Sequence, residues 1–318
     1  MDDIKKVLVS GGAGNIGSEL VKKLLETGKY HVTVVDNLFT GSMEKLPDLK
    51  HPRFKFVKAN VNRFEQIAPV FYSYSFDYVF HFAAVVGVQR TQQIPLKVLE
   101  DIDGIKNLLY LSSINTVKKF FFSSSSEVYG EPVEIPQHEY NTPLNSKLPY
   151  AVVKNVGECY IRSYYKEHQL NYTIFRFFNT YGPSQTNDFV VVKFLEAALK
   201  NKDITIYGDG SQTRTFTYID DNIDTIMRIL EDGLLDQDVI NIGNDRMVTI
   251  LELAHLIKKI TGSQSKIVHL PPLKEGDMTR RQPDNTKMKS ILKRPLIQLE
   301  EGIQRMLNNR DFLKRIGL

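Results

Sequence analysis

Residues 6–17 read KVLVSGGAGNIG, an apolar, β-branched run that leads directly into a glycine-rich turn. The apolar run predicts a buried strand, and the apolar spacing within residues 14–27 predicts a helix after the turn. A glycine recurs at every third position of the turn, at Gly11, Gly14 and Gly17. Glycine permits a tight turn and a close approach of the backbone to a pyrophosphate, which the unpaired N–H groups of a helix N-terminus bind. The stretch therefore predicts a dinucleotide site.

A second predicted strand, at residues 31–36, ends in an acidic residue 19 positions after Gly17. The carboxylate of Asp36 can accept hydrogen bonds from both ribose hydroxyls and would repel a 2′-phosphate. The pattern therefore predicts NAD as the cofactor, in preference to NADP. The cofactor-binding residues expected from these two motifs are Gly11, Gly14, Asn15, Ile16, Gly17, Asp36 and Asn37.

Predicted strands and helices alternate over the first 180 residues. Further strands are predicted at 54–58, 77–83, 119–124 and 171–178, and further helices at 96–117 and 150–168. Near-continuous apolar strands separated by helices indicate a parallel sheet that is covered on both faces. The predicted fold class is therefore α/β, with a Rossmann-type doubly wound parallel sheet over residues 1–180 that binds NAD.

After residue 180 the predicted elements become shorter, and Gly and Pro separate them. Strands are predicted at 204–207, 215–219, 239–242 and 266–269, and helices at 190–200, 222–231 and 250–260. We interpret residues 181–318 as a smaller C-terminal α/β lobe that binds the substrate. No clean linker precedes this lobe, so the chain can cross between the two lobes.

The composition excludes several classes of protein. Of the 318 residues, 42% are apolar and 25% are charged, as in soluble globular chains, and a single Cys excludes an internal disulfide framework. The first residues lack the order of a signal peptide, and no apolar run approaches the ~20 residues of a membrane-spanning helix. A cytoplasmic protein without a membrane partner is expected. No metal site is predicted, because His255 and His269 are isolated.

A net charge of +4 is too small to indicate a dedicated nucleic-acid-binding protein. The charge is unevenly distributed, since residues 270–318 hold 11 Lys and Arg against 6 Asp and Glu. Arg280 and Arg281 are adjacent in this segment. This part of the positive surplus would bind a substrate that carries phosphates.

Residues 150–154 read YAVVK and begin the helix after the fifth predicted strand. A separation of four residues places Tyr150 and Lys154 on one face of this helix. A Lys ammonium near a phenol stabilises the phenolate and lowers the pKa of the Tyr from about 10. The phenolate can then take a proton from a substrate hydroxyl while hydride leaves for the nicotinamide.

Together these motifs resemble an extended short-chain dehydrogenase/reductase of the nucleotide-sugar epimerase/dehydratase branch. The resemblance covers nearly the whole chain and implies an NAD-dependent enzyme that acts on a nucleotide-diphosphate sugar. Its segments are SGGAGNIG (10–17), VVDNLFTG (34–41), VFHFAA (79–84), SSSSEVYG (123–130), YAVVK (150–154), FRFFNTYGP (175–183), GDGSQTRTFTYIDD (208–221) and LEEGI (299–303).

The resemblance also implies roles for individual residues. Tyr150 would be the catalytic base, Lys154 its partner and a ligand of the nicotinamide ribose, and Ser125 a hydrogen-bond partner of the sugar hydroxyl that is oxidised. Glu127 completes the catalytic set. The residues expected to bind the substrate are Ser125, Ser126, Asn179, Arg214 and Arg281. The further cofactor contacts expected are Asn60, Val61, Phe82, Ala83, Ala84, Tyr150 and Lys154. Two positions depart from the family pattern: Asn60 stands where Asp is frequent, and Asp101 replaces an Asn.

The resemblance leaves the overall reaction open. The shared step is oxidation at carbon 4 of the sugar, and the 4-keto intermediate is then epimerised, dehydrated across carbons 5 and 6, or decarboxylated. Glu127 resembles decarboxylases, Ser126 replaces the acid of dehydratases, and residues 85–95 lack the Ser-Pro-rich stretch of decarboxylases. We expect a UDP-sugar 4-epimerase, narrowly ahead of a UDP-glucuronate decarboxylase and then a nucleotide-sugar 4,6-dehydratase. A catalytically silent NAD-binding regulator is an alternative from another class.

Members of this family often pair through the two helices predicted here at 96–117 and 150–168, so a homodimer is expected. Cys159, in the second of these helices, is expected to be a small buried residue rather than a nucleophile.

Overall fold

A computed structural model describes residues 4–272 and 280–318 of the chain. Strands and helices alternate in its first part. These elements are β1 (Lys5–Ser10), α1 (Asn15–Glu26), β2 (Tyr30–Asp36), a 3₁₀ helix (Met43–Lys45), β3 (Phe54–Lys58), α2 (Phe64–Ser73), β4 (Tyr78–His81), α3 (Val88–Gln93), α4 (Pro95–Leu99), α5 (Asp101–Ile114), β5 (Lys119–Ser125), a second 3₁₀ helix (Ser126–Tyr129), α6 (Pro149–His168) and β6 (Tyr172–Phe177). The helix predicted at 96–117 is therefore two consecutive helices that meet at Glu100.

The elements of the second part are shorter. They are β7 (Thr180–Tyr181), α7 (Val190–Leu199), β8 (Ile204–Tyr207), β9 (Thr213–Thr215), β10 (Thr217–Tyr218), α8 (Ile219–Glu231), β11 (Asp238–Ile242), β12 (Met247–Thr249), α9 (Ile250–Thr261), β13 (Ile267–Leu270), α10 (Thr286–Leu292), α11 (Leu299–Leu307) and α12 (Arg310–Arg315). Six of the strands form three two-stranded ladders, β7–β10, β8–β13 and β9–β12. The single strand predicted at 215–219 is wrong, because Phe216 separates β9 from β10 and Ile219 begins α8.

The central sheet has seven strands in the order β3-β2-β1-β4-β5-β6-β11, and all its pairs are parallel. The first six follow the Rossmann order, which confirms the predicted α/β fold class. The seventh strand, β11, pairs with β6 from Asp238 to Ile242. The strand predicted at 239–242 therefore lies in the large sheet and not in the second lobe, because its buried apolar residues extend the main core. The chain thus returns to the first sheet after residue 180, while the division of the chain at that residue stays a prediction.

The sheet separates two apolar cores, as alternating side chains along a strand that is buried on both faces require. In β1, Val7 and Val9 pack with residues of α1, α7, α8 and α9, whereas Leu8 packs on the opposite face with residues of α2, α5 and α6. The strand order reverses between β1 and β4, so the loops after these two strands diverge. Such a switch point leaves a crevice outside the carboxyl ends of the strands, which is where ligands bind in open α/β sheets.

Candidate active site

A cavity of about 940 Å³ opens at this crevice and continues between the loops of the second part of the chain. All but one of the residues predicted to bind the cofactor, to bind the substrate or to take part in catalysis line the cavity. They are Gly11, Gly14, Asn15, Ile16, Gly17, Asp36, Asn37, Asn60, Val61, Phe82, Ala83, Ala84, Ser125, Ser126, Glu127, Tyr150, Asn179, Arg214 and Arg281. The exception is Lys154, which is buried but is not part of the lining.

The glycine-rich turn is shaped by close backbone contact. Gly11 has a φ of +73°, and a Cβ there would lie 2.4 Å from the backbone nitrogen of Ala83. A Cβ at Gly17 would lie 2.3 Å from the carbonyl oxygen of Gly11. No side chain caps the N-terminus of α1, and the first residues of this helix face the cavity. The turn is therefore a cradle of backbone N–H groups, as a pyrophosphate requires.

The side chain of Asp36, at the end of β2, is held by backbone N–H groups of the glycine-rich turn and of the loop after β2. Its carboxylate accepts hydrogen bonds from the backbone N–H groups of Ala13 (3.0 Å) and Leu38 (2.8 Å). Burial raises the pKa of Asp36, and these two hydrogen bonds and the charge of Lys45 oppose that rise. Each carboxylate oxygen can accept further bonds, so the side chain fits the ribose role predicted for it.

The loop after β3 is fixed to α5. The Oδ1 atom of Asn60 accepts a hydrogen bond from the backbone N–H of Asn62 at 3.0 Å, and Asn107 in α5 donates to the carbonyl oxygen of Val61 at 2.9 Å. Asn62 also donates to Asp101 at 3.1 Å. Asn60 thus shapes this loop with its side chain while it lines the cavity.

The Ser–Tyr–Lys set predicted from sequence comes together at the cavity. Tyr150 is the second residue of α6 and lines the cavity together with Ser125, at the end of β5, whose hydroxyl is near enough to favour the Tyr150 phenolate. The Nζ atom of Lys154 lies 5.6 Å from the centre of the Tyr150 ring and 5.0 Å from that of Phe122. The pair shares one helix face, as the spacing predicts.

The expected lowering of the Tyr150 pKa is not found. Burial, and after it the charges of Glu127 and Asp101, raise the pKa of Tyr150, while Ser125 and Arg281 oppose the rise. Burial also lowers the pKa of Lys154 to about 8. The physical reason is desolvation, which disfavours both the phenolate and the ammonium in this buried site.

Two further predicted residues meet beside Tyr150. An ion pair joins the guanidinium of Arg281 to the carboxylate of Glu127, with 3.6 Å between Nη1 and Oε1. Arg281 is 6% exposed, and its Nε has no hydrogen-bond partner among the described residues. Arg214 is also buried in the lining and donates to the carbonyl oxygen of Thr213. Arg280, by contrast, is exposed.

Two buried polar atoms of the lining fit a bound ligand. Oδ1 of Asn15 and Nδ2 of Asn179 have no hydrogen-bond partner within residues 4–272 and 280–318. Asn179 has a φ of +25°, in the left-handed region that Asn tolerates better than most residues. Because an unmade hydrogen bond is costly when buried, both atoms favour an occupant of the cavity with donors and acceptors of its own.

Sequence reasoning missed a buried polar network between α6 and the strands β5 and β6. Ser124, near the end of β5, donates to Glu158 at 2.7 Å. Glu158 also accepts two hydrogen bonds from the buried Arg176, at 2.9 and 2.7 Å. The sequence contains a signal for this network, because Glu158 lies eight residues after Tyr150 and so shares its helix face.

An ion pair across the cavity was also missed. Arg90 in α3 donates to the carboxylate of Asp188, 2.9 Å away in the loop before α7, and both side chains line the cavity. Nothing in the local sequence indicates this contact, because the two residues are 98 positions apart.

Three expectations about other sites can be compared with the structure. In the described ranges, no group of three His, Cys, Asp or Glu side chains is arranged to hold a metal ion. Within the same ranges, no helix combines the length and the apolarity needed to cross a membrane. The expectation of a buried Cys159 is wrong: its side chain is exposed, because it lies on the face of α6 that points away from the sheet.

The sheet order, the glycine-rich cradle, the acidic end of β2 and the Ser–Tyr–Lys set define an NAD-dependent short-chain dehydrogenase/reductase. The family model described as "NAD dependent epimerase/dehydratase family" matches residues 7–243. The chain belongs to this family of enzymes, and NAD is its cofactor.

Several known proteins similar to the chain are named for UDP-sugars. UDP-glucuronic acid decarboxylase 5 of Arabidopsis thaliana is 35% identical, over 98% of this chain and 91% of the relative. UDP-glucose 4-epimerase of Thermotoga maritima, solved with UDP-glucose, is 34% identical with a TM-score of 0.90, over 98% of this chain and 99% of the other. UDP-glucuronic acid 4-epimerase of Bacillus cereus, solved with UDP-glucuronic acid and NAD, is 30% identical with a TM-score of 0.87, over 98% and 99%.

Proposed function

We propose that the protein is a UDP-sugar 4-epimerase that oxidises carbon 4 of the sugar and then reduces it on the opposite face. The observation that carries this proposal is that Ser125 and Tyr150 line the same cavity, with the Nζ atom of Lys154 5.6 Å from the centre of the Tyr150 ring. UDP is the proposed nucleotide because similar proteins of both activities are named for UDP-sugars.

In the proposed first step, the hydroxyl proton at carbon 4 passes to the oxygen of Tyr150, directly or through Ser125. When bound, NAD supplies a positively charged ring and the acceptor for the hydride of carbon 4. Tyr150, whose pKa burial raises, would give up its proton more easily with this positive charge nearby, because such a charge favours the phenolate. In the last step Tyr150 returns the proton to the oxygen of carbon 4 while that carbon would take the hydride back on its opposite face, so atoms and charges balance over the cycle.

The geometry at Glu127 argues against a dehydratase. Loss of water across carbons 5 and 6 needs an acid to protonate the departing hydroxyl. Ser126 cannot be that acid, and the carboxylate of Glu127 is paired with Arg281 at 3.6 Å. Positions 126 and 127 of the described lining therefore offer no unpaired carboxyl group that could act as this acid.

A second candidate, decarboxylation of a UDP-hexuronic acid, is favoured by the same ion pair. The 4-keto product of a hexuronic acid is a β-keto acid, which loses carbon dioxide once its carboxylate is oriented. The buried guanidinium of Arg281, with Nε unpartnered among the described residues, has the charge and the donors to orient such a carboxylate. The Arabidopsis relative is named for this reaction.

Incubation of the purified protein and NAD with UDP-glucose, UDP-N-acetylglucosamine and UDP-glucuronic acid tests these proposals. Mass spectrometry of an epimerised product shows no change in mass, and proton NMR shows inversion at carbon 4. A loss of carbon dioxide from UDP-glucuronic acid would establish the decarboxylase, and a loss of water would overturn both proposals. Binding without turnover on every substrate would indicate the silent regulator.

We also propose a homodimer that forms through α5 and α6. Large apolar side chains on these helices are exposed, with Tyr110 46%, Ile114 50% and Val152 36% accessible. Burial of this face against a second copy would remove them from water. Light scattering that finds only the monomer would contradict the proposal. The cytoplasmic location stays a prediction of the sequence.

A further inference from the structure

Asp101 is a buried acidic residue that the steps described above do not use. It is 8% exposed, it lines the cavity, and it is the first residue of α5. Its Oδ2 accepts a hydrogen bond from the backbone N–H of Val85 at 2.7 Å, and its Oδ1 accepts one from Nδ2 of Asn62 at 3.1 Å. The start of a helix favours a negative charge, so the carboxylate is compatible with this position.

The two donors to Asp101 belong to two of the loops that line the predicted cofactor side of the cavity. Val85 follows Ala83 and Ala84 in the loop after β4, and Asn62 lies in the loop after β3. The packing around this contact is tight, since a Cβ on Gly104 would lie 2.3 Å from Oδ1 of Asn62. One carboxylate therefore connects both loops to α5.

The charge of Asp101 matters to Lys154. Lys154 is 2% exposed, and none of the hydrogen bonds found in the described ranges involves its ammonium, which packs against the rings of Phe122 and Tyr150. An ammonium buried in this way needs a counter-charge. α5 packs directly on α6 one turn beyond Asp101 and Lys154, where a Cβ on Gly157 would lie 2.9 Å from Cδ1 of Ile105. Burial lowers the pKa of Lys154, and the charge of Asp101 opposes this lowering.

The other charged and titratable groups around this pair do not replace Asp101. His81 in β4 is kept neutral, because burial and the charge of Lys154 lower its pKa to about 3. Glu127 and Arg281 act on Tyr150, and Lys97 in α4 acts on Asp101. Asp101 thus acts electrostatically on both Lys154 and Tyr150.

We propose that Asp101 is a positioning residue of the active site, which fixes the loops after β3 and β4 to α5 and is the counter-charge of the buried Lys154 ammonium. The effect on turnover rests on the proposed function. The effect on NAD binding requires only that NAD is the cofactor, and it does not depend on the proposed reaction.

Three substitutions separate the two roles. Asp101→Asn keeps the shape and an acceptor oxygen but removes the charge, whereas Asp101→Ala removes both. Asp103→Asn is the matched control, because Asp103 is in the first turn of the same helix but has a 60% exposed side chain, 3.7 Å from Lys106. The measurements are the pH profile of kcat/KM and the affinity for NAD by calorimetry between pH 6 and 9.5.

For Asp101→Asn we expect the alkaline limb of the pH profile to move down by about one pH unit, since Lys154 loses its proton more easily without the neighbouring carboxylate. For Asp101→Ala we expect, in addition, a loss of NAD affinity of about tenfold at every pH, because both loops lose their shared acceptor. Asp103→Asn should match the unaltered protein in both measurements.

An unshifted pH profile in Asp101→Asn would overturn the counter-charge, and NAD affinity within twofold of the unaltered protein in Asp101→Ala would overturn the loop contact. Should Asp101→Ala fail to fold, Asp101→Asn still tests the charge. Absence of turnover in the unaltered protein would refute the proposed function alone. The inference is then tested by NAD affinity, which should fall at a lower pH in Asp101→Asn than in the unaltered protein.

Discussion

The buried pair formed by Glu158 and Arg176 gives the sharpest prediction about stability. The two side chains are 0% and 1% exposed, and they are joined by two hydrogen bonds of 2.9 and 2.7 Å. Glu158→Gln conserves the size of the side chain but leaves the Arg176 guanidinium buried without its counter-charge. Removal of one partner from such a pair costs about 3–5 kcal/mol of the free energy of unfolding. In a chain of this size that loss lowers Tm by on the order of 10 °C.

The assay is thermal unfolding followed by far-ultraviolet circular dichroism at pH 7.5. Glu167→Gln is the control, because Glu167 is on the same helix and exposed, and its Tm should stay within about 2 °C of the unaltered protein. The double substitution Glu158→Leu with Arg176→Met should recover much of the loss, since no buried charge is then left unpaired. A Tm for Glu158→Gln as high as that of the control would refute the reasoning.

The same pair predicts a pH dependence. Burial works against the charged form of Glu158, but the hydrogen bonds and the charge of Arg176 outweigh it and hold the pKa below its ordinary value of 4.5. A carboxyl whose pKa is depressed on folding stabilises the protein above the unfolded pKa, and this stabilisation is lost as the pH falls through the folded value. The difference in Tm between the unaltered protein and Glu158→Gln should therefore be constant from pH 8 to 6 and shrink below about pH 4.5.

Three predictions concern the cofactor and the reaction. Tyr150→Phe should lower kcat by about 10²–10⁴-fold with little effect on NAD affinity, and unchanged turnover would disprove its role as the base. Gly11→Ala should abolish NAD binding in calorimetry, because its Cβ would lie 2.4 Å from the nitrogen of Ala83. Gly262→Ala is its control, since that Cβ meets nothing within 4 Å, and equal NAD affinity in both variants would contradict the cradle. Asp36→Asn should reduce the preference for NAD over NADP, and an unchanged ratio of the two dissociation constants would contradict the ribose assignment.

Local patterns were sufficient for much of the fold. The apolar run at residues 6–10 and the glycines after it predicted β1, the turn and α1, because periodicity and backbone conformation are local properties. The strand at 239–242 was also predicted, but its place was not. Which sheet a strand joins depends on a partner far away in the chain, here β6 about 65 residues earlier. The exposure of Cys159 was missed for a related reason, since it depends on which face of α6 contacts the sheet.

The sequence by itself determined the glycine-rich turn and the helix face that Tyr150 and Lys154 share, and it predicted a cofactor cradle and a catalytic pair there. Gly11, Asp36, Tyr150 and Lys154 are recognisable because their chemistry requires fixed residue types at short, regular spacings. Only the tertiary structure decided how the pKa values of Tyr150 and Lys154 are shifted. Burial raises the pKa of Tyr150 where the helix spacing had predicted a lower one, and the charge of Asp101, on a different helix, opposes the lowering of the Lys154 pKa. Desolvation and electrostatic interactions act through space, and residues that are distant in the sequence supply them.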